Sequence, residues 1–174
     1  ICTIVPIDAM HATVLKQGDW FVSTVEHLLA ALWVLGIDNA LLEITGNEIP
    51  ILDGSALPFM QGIMDVGVCV QDVPKVWLTP KHTLTFSDPQ GRSLVIEPLC
   101  HTGAPREPGI HPLNVSYTTT FAHPLAGNGV WQGIIDQEQF YTDLAPARTF
   151  GFLDQLPFLR HHKLAQGTSL GNTV

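Results

Sequence analysis

The stretch that decides the fold of this chain is Ser23-Thr24-Val25-Glu26-His27-Leu28-Leu29-Ala30-Ala31-Leu32. Apolar residues continue from it to Leu35, and Gly36 follows, which predicts an amphipathic helix over residues 24–35 that ends at the glycine. The helix opens with an adjacent carboxylate and imidazole. A zinc hydrolase needs a neutral imidazole as a metal ligand and a carboxylate beside the bound water, whose proton the carboxylate takes. Glu26 and His27 are therefore candidates for metal-assisted hydrolysis.

The same residues also have a purely structural interpretation. Ser23 followed three residues later by Glu26 fits a capping box, in which the two side chains satisfy free backbone donors at the helix start. His27 fits a half-buried helix residue with no metal. The usual helical zinc motif is His-Glu-x-x-His, and this stretch contains a single histidine. From these residues alone, both interpretations stay open.

Two further blocks accompany the first one. They are Glu48-Ile49-Pro50-Ile51-Leu52-Asp53-Gly54-Ser55-Ala56-Leu57-Pro58-Phe59 and the later Ala147-Arg148-Thr149-Phe150-Gly151-Phe152. Together with residues 23–39, they resemble the UDP-3-O-acyl-N-acetylglucosamine deacetylases, the zinc amidases of lipid A biosynthesis. A weaker likeness lies between the blocks, at Phe121-Ala122-His123-Pro124. The resemblance spans most of the chain and rests on two regions, residues 23–59 and residues 147–152.

The resemblance implies a role for each of four residues. His27 would be a zinc ligand, and Glu26 would be the general base for the metal-bound water that attacks the amide. Thr149 would help to hold the oxyanion, and Phe150 would lie against the sugar of the substrate. The implied reaction removes the N-acetyl group from acylated UDP-N-acetylglucosamine. This assignment is chemically consistent because zinc and a hydroxyl donor both stabilise a developing oxyanion.

The family completes its zinc site with a later His-Lys-x-x-Asp segment and has a further histidine as general acid, and neither lies within these 174 residues. We therefore expect a piece of a longer protein, incomplete at both ends and inactive alone. The segment Arg160-His161-His162-Lys163 is better interpreted as a solvated basic helix end than as a substitute for the missing ligands. Two alternatives stay open: a non-catalytic module that binds a nucleotide sugar or a partner, and a zinc hydrolase of a different amide or ester.

The pattern of elements predicts an α+β fold. We expect a hairpin around Gly18, the helix at 24–35, a buried strand at 40–45, a helix at 56–66, and then five strands before a helix at 137–144. The later strands are predicted near residues 76–78, 84–86, 94–97, 115–121 and 130–135. The resemblance implies two similar α+β units, each a small sheet packed on helices. The boundary is expected at Gln71–Pro74, which divides the chain into residues 1–71 and 72–174, each lacking a terminal part.

Composition excludes several classes of protein. A net charge of −8 with eight Lys and Arg provides no basic face for nucleic acid. No apolar stretch reaches the ~18 residues of a membrane span, and 45% hydrophobic content suits a globular body. The three cysteines, Cys2, Cys69 and Cys100, form no disulfide framework. We expect them to be small buried residues in a reducing compartment, which favours the cytoplasm.

Overall fold

The structure is a computed structural model that describes residues 5–7, 12–76, 78, 80–98, 113–123, 126–161, 167, 169 and 171–173. It combines small antiparallel sheets with helices, so the predicted α+β class is confirmed. The chain separates into two compact units, one of Ile1–Val68 with Ile110–Val174 and the other of Cys69–Gly109. The division into two similar units of 1–71 and 72–174 concerns likeness of fold and stays a prediction.

The first unit begins with a three-stranded antiparallel sheet. Its strands are β1 (Val5–Ile7), β2 (Val14–Gln17) and β3 (Trp20–Ser23), in the order β1-β2-β3. Gln17 pairs with Trp20 across the turn, where Gly18 has a φ of 59°. Glycine adopts this left-handed conformation at little steric cost, which allows the tight connection. The predicted hairpin is therefore present, and it leads β3 directly into the first helix.

Two helices carry most of the core of this unit. They are α1 (Glu26–Val34) and α2 (Leu57–Val66), and glycines in the left-handed region follow both, with φ of 71° at Gly36 and 79° at Gly67. Both helices match the predicted spans within two residues. Ala31 and Val34 of α1 pack with Ala56 and Met60 around α2, and all four are buried. Because apolar surface at positions i and i+3 lies on one helix face, this packing fixes how α1 faces α2.

The rest of the first unit supplies a hairpin and a helical turn. Strands β6 (Leu113–Thr120) and β7 (Asn128–Ile135) pair in antiparallel register, and a short α3 (Gln137–Gln139) continues into a π-helical turn over Phe140–Leu144. The Asp136 side chain caps α3 by accepting the Gln139 N–H at 2.8 Å. Phe140 and Ala145 are buried in the same cluster as Met60, so this helical segment closes the core against α2.

The second unit contains one described hairpin, β4 (Leu84–Ser87) with β5 (Ser93–Ile96). Every residue of both strands is exposed. Asp88 organises the turn between them, because its carboxylate accepts the N–H groups of Gln90 and Arg92 at 2.9 Å each and also pairs with the Arg92 guanidinium. The predicted strands at 84–86 and 94–97 are thus present with slightly different ends.

Three sequence-based expectations differ from the structure. Residues 40–45 are exposed and form no strand, because no described strand runs beside them to supply a hydrogen-bonded ladder. Residues 76 and 78 are not in a strand. Cys69 is exposed and not buried, whereas Cys2 and Cys100 lie outside the described residues.

One other expectation agrees with the structure. The last helix, α4 (Leu156–His161), ends with exposed Arg160 and His161, as predicted for a basic helix end. His162 lies outside the described residues. None of the helices in the described ranges is both long and apolar enough to cross a membrane.

Candidate functional site

The connection between β3 and α1 is strained. Thr24 has a φ of 59°, although it is β-branched and residues of this kind rarely adopt the left-handed region. Such a conformation costs on the order of 1–3 kcal/mol and persists only where surrounding structure imposes it. Here the Thr24 hydroxyl donates a hydrogen bond to the Glu48 carboxylate at 3.0 Å. The strained residue stands two positions before Glu26, so it sets the direction in which α1 begins.

Glu26 does not act as a capping-box residue. The helix N-cap is Val25, which makes no side-chain capping bond, and the Ser23 hydroxyl donates instead to the Asn47 carbonyl at 3.2 Å. The Glu26 carboxylate accepts the Thr13 N–H through Oε2 at 3.1 Å. Its other oxygen has no hydrogen-bond partner among the described residues. The predicted capping box of Ser23 and Glu26 is therefore wrong, because both side chains bond to groups outside the helix end.

His27 is half-buried at the start of the α1 face that packs on α2. Residues four and seven positions later, Ala31 and Val34, lie on that same face and are fully buried. Within the described part of the chain, the imidazole makes no hydrogen bond. Both ring nitrogens thus remain available, and one of them can bind a metal while Glu26 stands beside it.

A tight turn precedes α2. The Asp53 carboxylate accepts the N–H and the hydroxyl of Ser55, at 3.0 and 2.8 Å, and the Ser55 hydroxyl accepts the Leu57 N–H at 3.3 Å. Ser55 is fully buried. An aspartate that accepts bonds from the second residue after it forms an Asx turn. Asp53 is therefore engaged in holding the turn, which agrees with a structural role for this carboxylate.

Thr149 lies against that turn. Its N–H donates to the Gly54 carbonyl at 2.8 Å, and its methyl group would be 3.4 Å from a Cβ placed on Gly54. Gly54 has a φ of 86°, and such a Cβ would also overlap the Asn172 carbonyl oxygen. The Thr149 hydroxyl has no partner in the described ranges. The backbone thus holds Thr149 in place and leaves its hydroxyl free to donate.

Phe150 belongs to an aromatic cluster that sequence reasoning only partly identified. Its ring is 52% exposed and makes edge contacts with Phe121 and Phe152 at centroid distances of 5.2 and 5.8 Å. The His123 ring lies 4.6 Å from Phe152. The signals were the second Phe of the Arg-Thr-Phe-Gly-Phe block and the weak Phe-Ala-His-Pro likeness. Exposed rings of this kind can stack on a sugar or a base.

The described residues supply an incomplete metal-binding set. Among them, no group of three His, Cys, Asp or Glu side chains is placed to hold a metal ion. The chemistry of His27 beside Glu26 suits zinc in kind, since zinc takes imidazole nitrogen and a neighbouring carboxylate can serve a bound water. In number it does not suffice, because a catalytic zinc site has three protein ligands. Beside Glu26, the described part of the chain offers one candidate ligand, His27.

The structure divides the four sequence-predicted residues into two pairs. Glu26 and His27 lie together at the start of α1, whereas Thr149 and Phe150 lie together beside the turn before α2. No hydrogen bond joins the two pairs within the described ranges. The segment of residues 47–57 instead bonds to Ser23 and Thr24, just before the first pair, and to Thr149 of the second pair.

Comparison with known proteins identifies similar chains. A family model described as "LpxC: UDP-3-O-acyl N-acetylglycosamine deacetylase" matches residues 4–174. A protein named UDP-3-O-acyl-N-acetylglucosamine deacetylase from Citrifermentans bemidjiense is 39% identical over 163 residues, which are 94% of this chain and 50% of the relative. Relatives with the same name from Teredinibacter turnerae and Thermosynechococcus vestitus are 36% and 39% identical, with 96% and 94% of this chain and 52% of each relative covered. The chain spans about half the length of the curated relatives that it matches.

Proposed function

Because this chain belongs to the LpxC family of UDP-3-O-acyl N-acetylglycosamine deacetylases, we propose that it carries part of the active site of a zinc-dependent amide hydrolase. The substrate in this proposal is UDP-3-O-acyl-N-acetylglucosamine, from which the N-acetyl group is removed in lipid A biosynthesis. The observation that supports it best is the geometry of Glu26. Its carboxylate is held by the Thr13 N–H, free of any capping role, next to an imidazole with no hydrogen bond in the described residues.

In the proposed mechanism Glu26 is the general base. The Thr13 N–H fixes one carboxylate oxygen, and the other is free to take a proton from the attacking water. His27 is a zinc ligand. When bound, zinc acidifies water and polarises the amide carbonyl. Two further ligands and the general acid would come from the part of the relatives' length that this chain does not span, so this chain alone would be inactive.

Thr149 and Phe150 act on the substrate in this proposal. The free hydroxyl of Thr149 donates to the oxyanion that develops on the amide carbonyl, while its backbone is held by Gly54. Phe150 offers an exposed ring, supported at its edges by Phe121 and Phe152, against which the sugar can lie. We also propose a cytoplasmic location, because three cysteines, odd in number and far apart in the sequence, are typical of a reducing compartment.

One observation favours a second candidate function. The exposed aromatic cluster around Phe150 also suits a non-catalytic module that binds a nucleotide sugar or a partner protein through these rings. The two candidates differ in one property: only the hydrolase binds zinc stoichiometrically and turns over the N-acetylated substrate.

The test compares Glu26→Gln, His27→Ala and a matched control, Glu43→Gln, in the full-length protein. Glu43 is an exposed glutamate on the segment after α1. We expect Glu26→Gln to keep its zinc and to lose about 10²–10⁴-fold in kcat, since a general base contributes that much. His27→Ala should lose zinc, and Glu43→Gln should match the parent protein in both zinc content and kcat.

Other outcomes would contradict specific parts of the proposal. Zinc loss in a folded Glu26→Gln would make Glu26 a ligand, and unchanged zinc in His27→Ala would remove His27 from the metal site. Thr149→Val should lower kcat more than it raises KM, and a change confined to KM would remove the oxyanion role. Binding of the nucleotide sugar without turnover by the parent protein would favour the non-catalytic module.

A further inference from the structure

One block of sequence is not used by the proposed mechanism. The stretch from Asn47 to Ser55 contains no catalytic residue in that scheme, yet it touches both halves of the site. We call residues 47–55 the bridging segment. Glu26 and His27 lie near its first end, and Thr149 lies at its other end.

The first end holds the strained connection before α1. The Ser23 N–H donates to the Asn47 carbonyl at 2.9 Å, and the Ile49 N–H donates to the Ser23 carbonyl at 3.0 Å. Between these two bonds, the Glu48 carboxylate accepts the Thr24 hydroxyl at 3.0 Å. Two of these hydrogen bonds hold Ser23, the residue before the strained one, and the third holds the Thr24 side chain itself. They supply the restraint that a β-branched residue at positive φ requires.

The same end also packs on the start of α1. Ile49 is 4% exposed and lies in one apolar cluster with Val25 and Leu28, the neighbours of Glu26 and His27. Close packing of this kind resists small displacements, because each shift opens a gap or forces an overlap. The bridging segment thus restrains the direction of the first turn of α1 and how closely that turn packs against Ile49.

The second end holds the Thr149 loop. The Gly54 carbonyl accepts the Thr149 N–H at 2.8 Å, and Leu57, just beyond the segment, donates its N–H to the Ala145 carbonyl at 3.0 Å. Gly54 stands five positions after Ile49, so five residue steps join them. Fully extended, they reach about 17 Å, which is an upper limit on the distance between the two anchoring points. The chain length therefore limits the gap between the base and the oxyanion donor.

We infer that the bridging segment sets the spacing between the Glu26–His27 pair and Thr149, and that Glu48 is a positioning residue acting through Thr24. This inference rests on the proposed function for the roles of those three residues. Glu48 does not touch the reacting atoms in this scheme. Its carboxylate keeps the Thr24 connection in the conformation from which α1 starts.

The test uses four variants of the full-length protein: Glu48→Ala, Glu48→Gln, Thr24→Val and the double variant Thr24→Val with Glu48→Ala. The net contribution of a hydrogen bond of this type corresponds to a factor of about 3 to 10 in a rate or equilibrium constant. We expect Glu48→Ala and Thr24→Val each to lower kcat about 3- to 10-fold with KM within about two-fold. The double variant should lose no more than the single ones, because both remove the same bond.

Glu48→Gln and Glu43→Ala serve as controls. A glutamine retains an oxygen that can accept the Thr24 hydroxyl, so Glu48→Gln should recover most of the parent kcat. Glu43→Ala should leave kcat unchanged. A second measurement needs no activity: hydrogen exchange of the Ser23 and Ile49 amides in metal-free protein. Exchange should become faster in Glu48→Ala, while the amides of β4 and β5 keep the parent rate.

Three results would overturn the inference: an unchanged kcat in Glu48→Ala, losses that add in the double variant, or a lower Tm with neither kcat nor the Ser23 and Ile49 exchange altered. Failure of the proposed function gives a different pattern. In that case the parent protein would show no deacetylation, while faster exchange in Glu48→Ala would still support the positioning of α1 by Glu48.

Discussion

Two regions of this chain hold their turns in opposite ways. The region from Ser23 to Met60 depends on bonds between residues far apart in sequence, such as Thr24 with Glu48 and Gly54 with Thr149. The β4–β5 hairpin depends on neighbours, because Asp88 bonds to Gln90 and Arg92, and every residue in its two strands is exposed. Long-range tertiary contacts therefore stabilise the region from Ser23 to Met60, whereas contacts between sequence neighbours stabilise the hairpin.

This difference affects which region can hold catalytic side chains in a fixed orientation. A strained residue such as Thr24 persists only if distant groups hold it, so the region around it can present Glu26 and His27 in an unusual direction. No bond from a distant described residue holds the β4–β5 hairpin, and a two-stranded sheet with exposed faces is marginally stable. We therefore expect substitutions in the first region to have large and cooperative effects, and substitutions in the hairpin to have small and local ones.

The largest effect is expected for Gly54→Ala. A Cβ here would overlap the Asn172 carbonyl oxygen, and the residue has a φ of 86°. The left-handed penalty and the overlap together should reduce the free energy of unfolding by about 3–5 kcal/mol. Urea denaturation of the full-length protein measures it. The control is Gly62→Ala in α2, whose Cβ would meet nothing within 4 Å, and which should be neutral or stabilising by about 0.5–1 kcal/mol. Equal stability of the two variants would contradict the claim that long-range contacts stabilise the first region.

An intermediate effect is expected for Ser55→Ala. Ser55 is fully buried, and its hydroxyl joins Asp53 to the Leu57 N–H. Loss of these bonds should lower the free energy of unfolding by about 1–2 kcal/mol. The matched control is Ser116→Ala in β6, an exposed serine that accepts one bond from Gln132, for which we expect a change within about 0.5 kcal/mol. A larger loss of unfolding free energy in Ser116→Ala than in Ser55→Ala would contradict the expectation that the buried hydrogen bonds contribute more than the exposed one.

The smallest effect is expected from the titration of Asp88. Desolvation tends to raise its pKa, but hydrogen bonds from the Arg92 backbone and side chain, the positive charge of Arg92 and the Gln90 N–H together lower it below 3.8. Since the folded pKa is the lower one, this carboxylate stabilises the hairpin above pH 3.8 and the contribution is lost as pH falls through the folded value. Amide exchange at pH 6 and pH 3, extrapolated to a common intrinsic rate, should show loosening of β4 and β5. Asp88→Asn should remove that pH dependence, and persistence of it would assign the effect to another group.

Much of the local structure could be predicted from residue order. Helices α1 and α2 end where glycines follow them, and the hairpins appear where alternating apolar residues flank a turn. These features depend on neighbours within a few positions, and periodicity records such neighbours directly. The segment 40–45 shows where that method fails. Its apolar residues suit a buried strand, but a strand also needs an adjacent strand, and none of the described ones runs beside it.

In the candidate site, too, some features could be predicted from the sequence and others could not. The order of residues placed Glu26 beside His27 and marked the blocks containing Thr149 and Phe150. It could not show that Thr13 and Asn47 replace the capping box, because those partners lie 13 and 24 positions from the residues they bond. It also did not show that Phe121 and Phe152 support the Phe150 ring. Both arrangements depend on which distant segments meet.

By itself, the sequence determined the helix and hairpin positions, the adjacent acid and imidazole, and the family to which the chain belongs, because each is written in neighbouring residues or in short blocks of them. Only the tertiary structure decided which groups hold Thr24 in its strained conformation, what Glu26 bonds to, and how residues 47–55 bond to the start of α1 and to Thr149. The physical reason is that hydrogen bonds and close packing depend on distance in space, and folding brings together groups whose separation along the chain carries no such information.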